Sequence, residues 1–400
     1  MNEITCYGFG IQEGDFAPVK DPAAAIARVV RAAQPVSVAE LAGRLGIEKT
    51  ELKKILKPLV SSGALREEKG AKRGERILSL NAEKDYLAGV YIGVRSTQVG
   101  LGTLSGEILA ESEFVTPSDV ETALGRARRE LENLINEHSG ERTLRAVGIT
   151  VPGMVDSEGR LLSAPNLGWS DIDIAGAFQF GETVKTIVEA DATAAAMYEA
   201  RLKMRGADNG SVPNFMLVRS GTGIGVGLVI GGKVFQGWPA GSGISVHFGH
   251  MTIVAGGKSC ACGNRGCWEK YASAASAASL YTGDRPLRPG ESMPRFIEIV
   301  SKAENGEIRA QRTLEKIGDY LGIGIANAII ATGLKRVVVS GRLVQGWKFV
   351  AGPLNQAIER SIVGRLDGWT VEKGDPSGGM LGGALEVAAD EYLKAAAGGI

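Results

Sequence analysis

Four hundred residues, 44% hydrophobic and 22% charged, exclude a disordered chain and exceed what one ordinary core organises, so two or three domains are expected. The 45 basic and 45 acidic residues cancel, which excludes an indiscriminate polyanion binder. The balance hides an asymmetry: residues 24–80 carry twelve Lys and Arg against six Asp and Glu, a basic segment ahead of a mildly acidic remainder. Neither a signal peptide nor a membrane span is expected, because the longest uncharged apolar run, Tyr320 to Leu334, holds three glycines and falls short of the roughly 20 residues a span needs. The expected location is cytoplasmic.

Residues 1–21 show no periodicity and read as a loose arm. From Pro22 to Ala33, apolar residues recur at helical spacing. A short helix over Val38–Leu45 follows, with Ser37 and Glu40 in the capping-box pattern, and Gly46 turns the chain. A third helix, Glu48 to Ser62, puts Leu52, Ile55, Leu56 and Leu59 on one face, with Pro58 expected to kink its last turn. Residues 64–68 and 76–80 then read as a hairpin.

Three short helices and a hairpin, residues 22–81, are the plan of a winged helix–turn–helix. Lys49, Thr50, Lys53, Lys54 and Lys57 lie opposite the apolar face of the third helix, which suits a helix in the DNA major groove. Lys72, Arg73 and Arg76 of the hairpin would reach an adjacent backbone or minor groove. A solvated lysine face or a protein-binding wing would show the same pattern.

Beyond Asn81 the pattern becomes strands at 88–94, 97–104 and 107–115, a helix at 119–138 and a strand at 144–150. It restarts with a strand (184–189), a helix (192–205) and strands at 214–219 and 225–230. Helices at 308–333, 348–361 and 380–397 close the chain, around a strand at 336–340. Residues 82–400 therefore read as an α/β protein of two similar halves around a cleft.

Three of the four cysteines, Cys260, Cys262 and Cys267, crowd together, with His250 ten residues before the first. Three thiolates and an imidazole are four ligands for tetrahedral Zn²⁺, a closed structural shell; buried free cysteines beside an unrelated histidine are the plain alternative.

Gly249-His250 with Cys260-x-Cys262-Gly-x-x-Gly-Cys267-x-Glu269 resembles the signature of the ROK family (repressors, open reading frames and kinases). Gly221-Thr-Gly-Ile-Gly-Val-Gly227 resembles its second phosphate loop, though a tight turn between strands would read the same. Val151-Pro-Gly153 with Ala164-Pro-Asn166-Leu-Gly-Trp169 resembles its sugar-binding segment, and Glu189-Ala-Asp191-Ala-Thr-Ala194 its catalytic motif. The resemblance implies an actin-like, hexokinase-like two-lobed fold, zinc on His250, Cys260, Cys262 and Cys267, and a homodimer or homotetramer. It places Asn166, Asp191, His247, His250 and Glu269 at positions that bind a sugar, with Asp191 at the catalytic-base position. A helix–turn–helix in front is the arrangement of the family's repressors.

The family's kinases read Asp-x-Gly-Gly-Thr in the first phosphate loop. This chain has Tyr91-Ile-Gly93-Val94-Arg95-Ser96-Thr97. Tyr91 replaces the metal-placing carboxylate, Val94 and Ser96 depart from the phosphate cradle, and Thr97 falls two positions late. No ATP binding is expected. His247 stands where the family has Glu, either as a changed ligand contact, which would suit an acidic or phosphorylated sugar, or as a core histidine; Asp191 could alternatively cap the helix expected at Ala192. The expected function is a sugar-responsive regulator of a double-stranded DNA operator, most simply a repressor. A sugar kinase with an accessory DNA-binding domain, or a regulator independent of ligand, are the alternatives.

Overall fold

The computed structural model describes residues 22–398 except 62, 82, 84, 139, 207–213, 236–246, 284–291 and 378; the arm expected over residues 1–21 lies outside them. Helices form at Pro22–Ala33, Val38–Leu45 and Lys49–Ser61. Ser37 caps the second, its side chain accepting from the Glu40 amide at 3.0 Å, and Gly46 ends it with φ 62°, a left-handed conformation that glycine adopts without strain. The third helix runs through Pro58 to Ser61. Strands Leu65–Lys69 and Arg76–Leu80 form the expected hairpin. A two-residue strand, Val36–Ser37, pairs with the latter and makes the sheet three-stranded; two residues are too few to leave a periodic signature.

Two five-stranded sheets follow with one topology. In the first, Asp85–Ile92 lies between Ser96–Thr103, antiparallel and followed outward by Ile108–Val115, and Thr143–Val151, parallel and followed by Lys185–Ala190. In the second, Phe215–Ser220 lies between Ile224–Ile230, antiparallel and followed by Lys233–Val234, and Arg336–Ser340, parallel and followed by Thr370–Lys373. The repeated order is the duplication that the strand and helix pattern announces. The sequence reading starts the first strand three residues late and places its end past Ile92; Gly93 already belongs to the loop.

The C-terminal helix, Met380–Gly398, returns to the first sheet. Its backbone touches the sheet at Gly148, where a Cβ would stand 2.0 Å from the Ala384 carbonyl oxygen; only glycine permits that approach. The basic N-terminal module shares this core. Ile26, Val30, Leu41, Leu52 and Leu59 belong to one buried cluster with Leu87, Leu104, Ala146, Leu381, Leu385 and Leu393. Each such side chain contributes about 1.5–3 kcal/mol on burial, enough in sum to make the junction a packed interface.

An ion cluster lies in the same junction. Arg31 of the first helix, Arg201 of the helix Asp191–Gly206 and Glu386 of the C-terminal helix are 5%, 7% and 5% exposed. Both Glu386 oxygens accept from Arg31, one from Nη1 and the other from Nη2 at 3.0 Å. Arg201 Nε lies 2.6 Å from Glu386 Oε1, and Arg31 Nε donates to the Leu104 carbonyl at 2.6 Å. Beside it, Arg28 pairs with Asp390. Burial raises the Asp390 carboxyl, but Arg28 and then Lys394 outweigh it and hold the group below its ordinary value.

Candidate functional site

A cavity of about 300 Å³ opens between the two sheets, within the range that holds small ligands. Its walls are the loop after Ile92, the turn at Asn166, the start of the helix Asp191–Gly206, the loop 221–223, the short 3₁₀ turn Phe248–His250 and the start of the helix Glu269–Ala272. Asn166, Asp191, His247, His250 and Glu269 all line it. A Cβ built on Gly223 would meet Glu269 Oε2 at 2.4 Å and Asn166 Nδ2 at 3.1 Å, so those two polar groups converge over the bare glycine.

Asp191 is the first residue of its helix, which therefore starts one position earlier than expected. Its Oδ2 accepts from Arg219 Nη1 at 2.6 Å, and Arg219 Nη2 donates to the Tyr91 hydroxyl at 3.0 Å. Burial works against the charge of Arg219. The neighbouring Tyr91 and Asp191 outweigh it and keep the guanidinium above its ordinary range. Tyr91 is thus the far end of an Asp191–Arg219–Tyr91 chain. Val94 and Ser96 line the cavity too, whereas Thr97 is buried away from it, 2.9 Å from the Thr116 hydroxyl. His247 is held neutral: burial, then the neighbouring His250, lower its pKa, and Asp191 only partly offsets them.

Beside the cavity, one ligand atom from each of His250, Cys260, Cys262 and Cys267 lies within 4.8 Å of the others. Cys262 Sγ and Cys267 Sγ are 3.7 Å apart, and Cys260 Sγ is 3.6 Å from His250 Nδ1. A tetrahedron with metal–sulfur bonds of about 2.3 Å has edges near 3.8 Å, so the four residues fit a metal ion. Burial pushes the Cys260 thiol up to about 12, a neutral group unless a cation displaces its proton. Cys260 also donates to Glu269 Oε1 at 3.3 Å, which ties this loop to the cavity wall.

The sequence profile of the ROK family matches residues 87–388, both sheets and the cleft between them. The chain belongs to the ROK family. It is 28% identical to the xylose repressor of Bacillus subtilis over 339 residues, 83% of this chain and 85% of that one. The crystal structure of a ROK transcriptional regulator, a homologue of the E. coli MLC protein, superimposes with TM-score 0.72 and 22% identity over 94% of this chain and 98% of that one; it shares the fold. A ROK glucokinase from Streptomyces griseus, solved with glucose and AMPPNP, gives TM-score 0.62 and 25% identity over 76% of this chain and 99% of its own. The kinase thus lacks a counterpart for about a quarter of this chain, and the ROK profile itself begins after the basic module.

Within that module Lys49, Thr50, Lys53, Lys54, Lys57, Lys72, Arg73 and Arg76 are all exposed, while Leu52, Leu56 and Leu59 are buried. Among the described residues none of the seven cations pairs with a carboxylate. Sequence reasoning missed Arg219, Arg342 and Arg95, which line the ROK cleft. Arg219 directly precedes Ser220 and the glycine loop, and a charge before that loop is the signal that could have drawn notice to it. No helix among the described residues is long and apolar enough to cross a membrane.

Proposed function

We infer that this ROK chain is a sugar-responsive transcriptional repressor whose kinase-like cleft senses rather than phosphorylates its ligand. The observation that carries the reading is the shared core of the basic module and the kinase-like fold, which joins an exposed cationic helix to the cleft as one packed body. Two copies of the module, each laying Lys49–Lys57 in a major groove, would read an inverted repeat. A second observation favours loss of catalysis. Tyr91 stands where the family's kinases carry the metal-placing carboxylate, and its hydroxyl accepts from Arg219 Nη2 at 3.0 Å. In the cleft, Asn166, Glu269 and neutral His247 supply hydrogen bonds for a polyol. His250, Cys260, Cys262 and Cys267 would hold structural zinc, which fixes the loop that carries Glu269.

The helix Asp191–Gly206 links sensing to binding. Arg201 stands ten residues beyond Asp191, about 15 Å along the axis at 1.5 Å per residue, and meets Glu386, which also holds Arg31. A ligand that shifts Asp191 moves the contact on which the DNA-binding module sits. Useful coupling requires a difference in ligand affinity between the two states of about 1–3 kcal/mol.

Site selection from random DNA, followed by titration at several salt concentrations, tests the reading. Lys53→Ala and Lys54→Ala should weaken binding and flatten the slope of log affinity against log salt by up to about 1 unit per lost phosphate contact. Equal affinity after removal of residues 1–81 would exclude the module as the reader. A coupled assay with ATP and glucose, xylose, N-acetylglucosamine or N-acetylmannosamine should remain at background; turnover near the ~1–100 s⁻¹ of kinases would overturn the sensor. Asp191→Asn and Glu269→Gln should weaken effector-driven release and leave operator affinity without effector intact. Unchanged induction in both would move the sensing site out of the cleft.

A further inference from the structure

The charges in the cleft do not match a neutral sugar. Its two carboxylates are Asp191, paired with Arg219, and Glu269. Of its three guanidiniums, Arg95 and Arg342 pair with no carboxylate among the described residues. Arg342 donates from Nη2 to the Thr222 hydroxyl at 3.0 Å and lies against the bare backbone of Gly221, where a Cβ would be 3.7 Å from the same nitrogen. Burial and then the positive charge of Arg95 lower the pKa of Arg342; Tyr91 offsets part of this, and Arg219 adds to it. Like charges gathered in a partly buried wall cost stability unless an anion joins them.

We propose that the cleft binds a sugar phosphate, with the sugar ring over Asn166 and Glu269 and the ester phosphate on Arg342, Arg95 and Thr222. The proposal rests on the sensor reading and names the ligand class of that site. Charge selects the class. A phosphate monoester carries about −1.5 to −2 at neutral pH and so matches two unpaired guanidiniums, whereas a sugar acid carries a single negative charge and leaves one over. Geometry agrees, because a planar guanidinium fork meets two phosphate oxygens at once. A nucleoside triphosphate needs a carboxylate-held Mg²⁺ as well, and Tyr91 stands in that place.

Calorimetry on the full-length protein tests this with hexose and pentose monophosphates, their parent sugars and inorganic phosphate. At least one monophosphate should bind about tenfold or more tightly than its parent sugar. Arg342→Gln should bring that ratio toward one. Arg95→Gln, at an exposed position where folding is not at stake, should lower it too. Equal affinity for sugar and ester, a ratio indifferent to both substitutions, or inorganic phosphate binding as tightly as any ester would overturn the proposal. A parent sugar that releases the operator without help from a phosphate would do so while leaving the sensor reading in place. If no sugar and no monophosphate binds, both readings fall together.

Discussion

Glu386→Ala should lower the stability of the folded chain by about 3–5 kcal/mol, the cost of breaking a buried ion pair by removing one partner. The size follows from what remains. Arg31 and Arg201 would face each other at 5% and 7% exposure, two desolvated cations with no counter-charge, one on the basic N-terminal module and one on the helix from the cleft. The expected sign reverses if all three are replaced: Arg31→Met, Arg201→Met and Glu386→Leu together should recover most of the loss, since apolar groups of similar volume need no compensation. Urea unfolding of the three proteins, parent, single and triple variant, measures both. A loss below about 1 kcal/mol for Glu386→Ala would mean that the cluster is hydrated and the junction looser than described. The triple variant should also respond poorly to effector despite its stability, because the charged contact that links Asp191's helix to Arg31 would be gone.

Removing the metal should be nearly as costly. Elemental analysis should find about one zinc per chain, and a chelator or Cys267→Ser should cost several kcal/mol, a fall in melting temperature on the order of 10 °C. Cys267 is fully buried and leads directly into Trp268, also fully buried, whose indole donates to the Tyr320 carbonyl at 3.0 Å and packs on bare Gly324. Loosening the loop therefore disturbs the core of the second lobe as well as the surface. Effector affinity should fall in parallel, because Glu269 starts the helix immediately beyond. Protein purified without any zinc, or chelation that leaves the melting temperature in place, would show that the four residues do not hold a structural ion.

Local signals explain what could be read in advance. Leu52, Leu56 and Leu59 recur at helical spacing because one face must be buried, and the same spacing throws Lys49, Lys53 and Lys57 outward. His250 and the cysteines declare themselves by side-chain chemistry, and the structure brings their ligand atoms together. Short pieces escaped: the three-stranded sheet of Met154–Val155, Arg160–Ala164 and Trp169–Asp173, the strand Thr370–Lys373, and the helices Ala274–Thr282 and Phe296–Glu304. A strand of four or five residues gives a period-2 pattern no room to repeat, and the alanine-rich run at 274–278 marks neither face. Partnerships across the chain escaped altogether. Arg31 looks like a solvated residue on an amphipathic helix until Glu386, 355 residues away, is placed against it. Asp191 reads as a helix cap or a base; nothing near it in sequence says that Arg219 takes its carboxylate.

The continuity of hydrophobic packing between the first three helices and the C-terminal helix bears on how such regulators can be rebuilt. A reading head joined by a tether could be exchanged as a cassette, so that one sensor drives another operator. Here a graft at residue 82 would strip Leu381, Leu385 and Leu393 of Ile26 and Val30 and leave Glu386 without Arg31. Under the proposed function, retargeting this protein means redrawing the outward face of Lys49–Ser61 on its own scaffold, with the inward face and the first helix carried over unchanged.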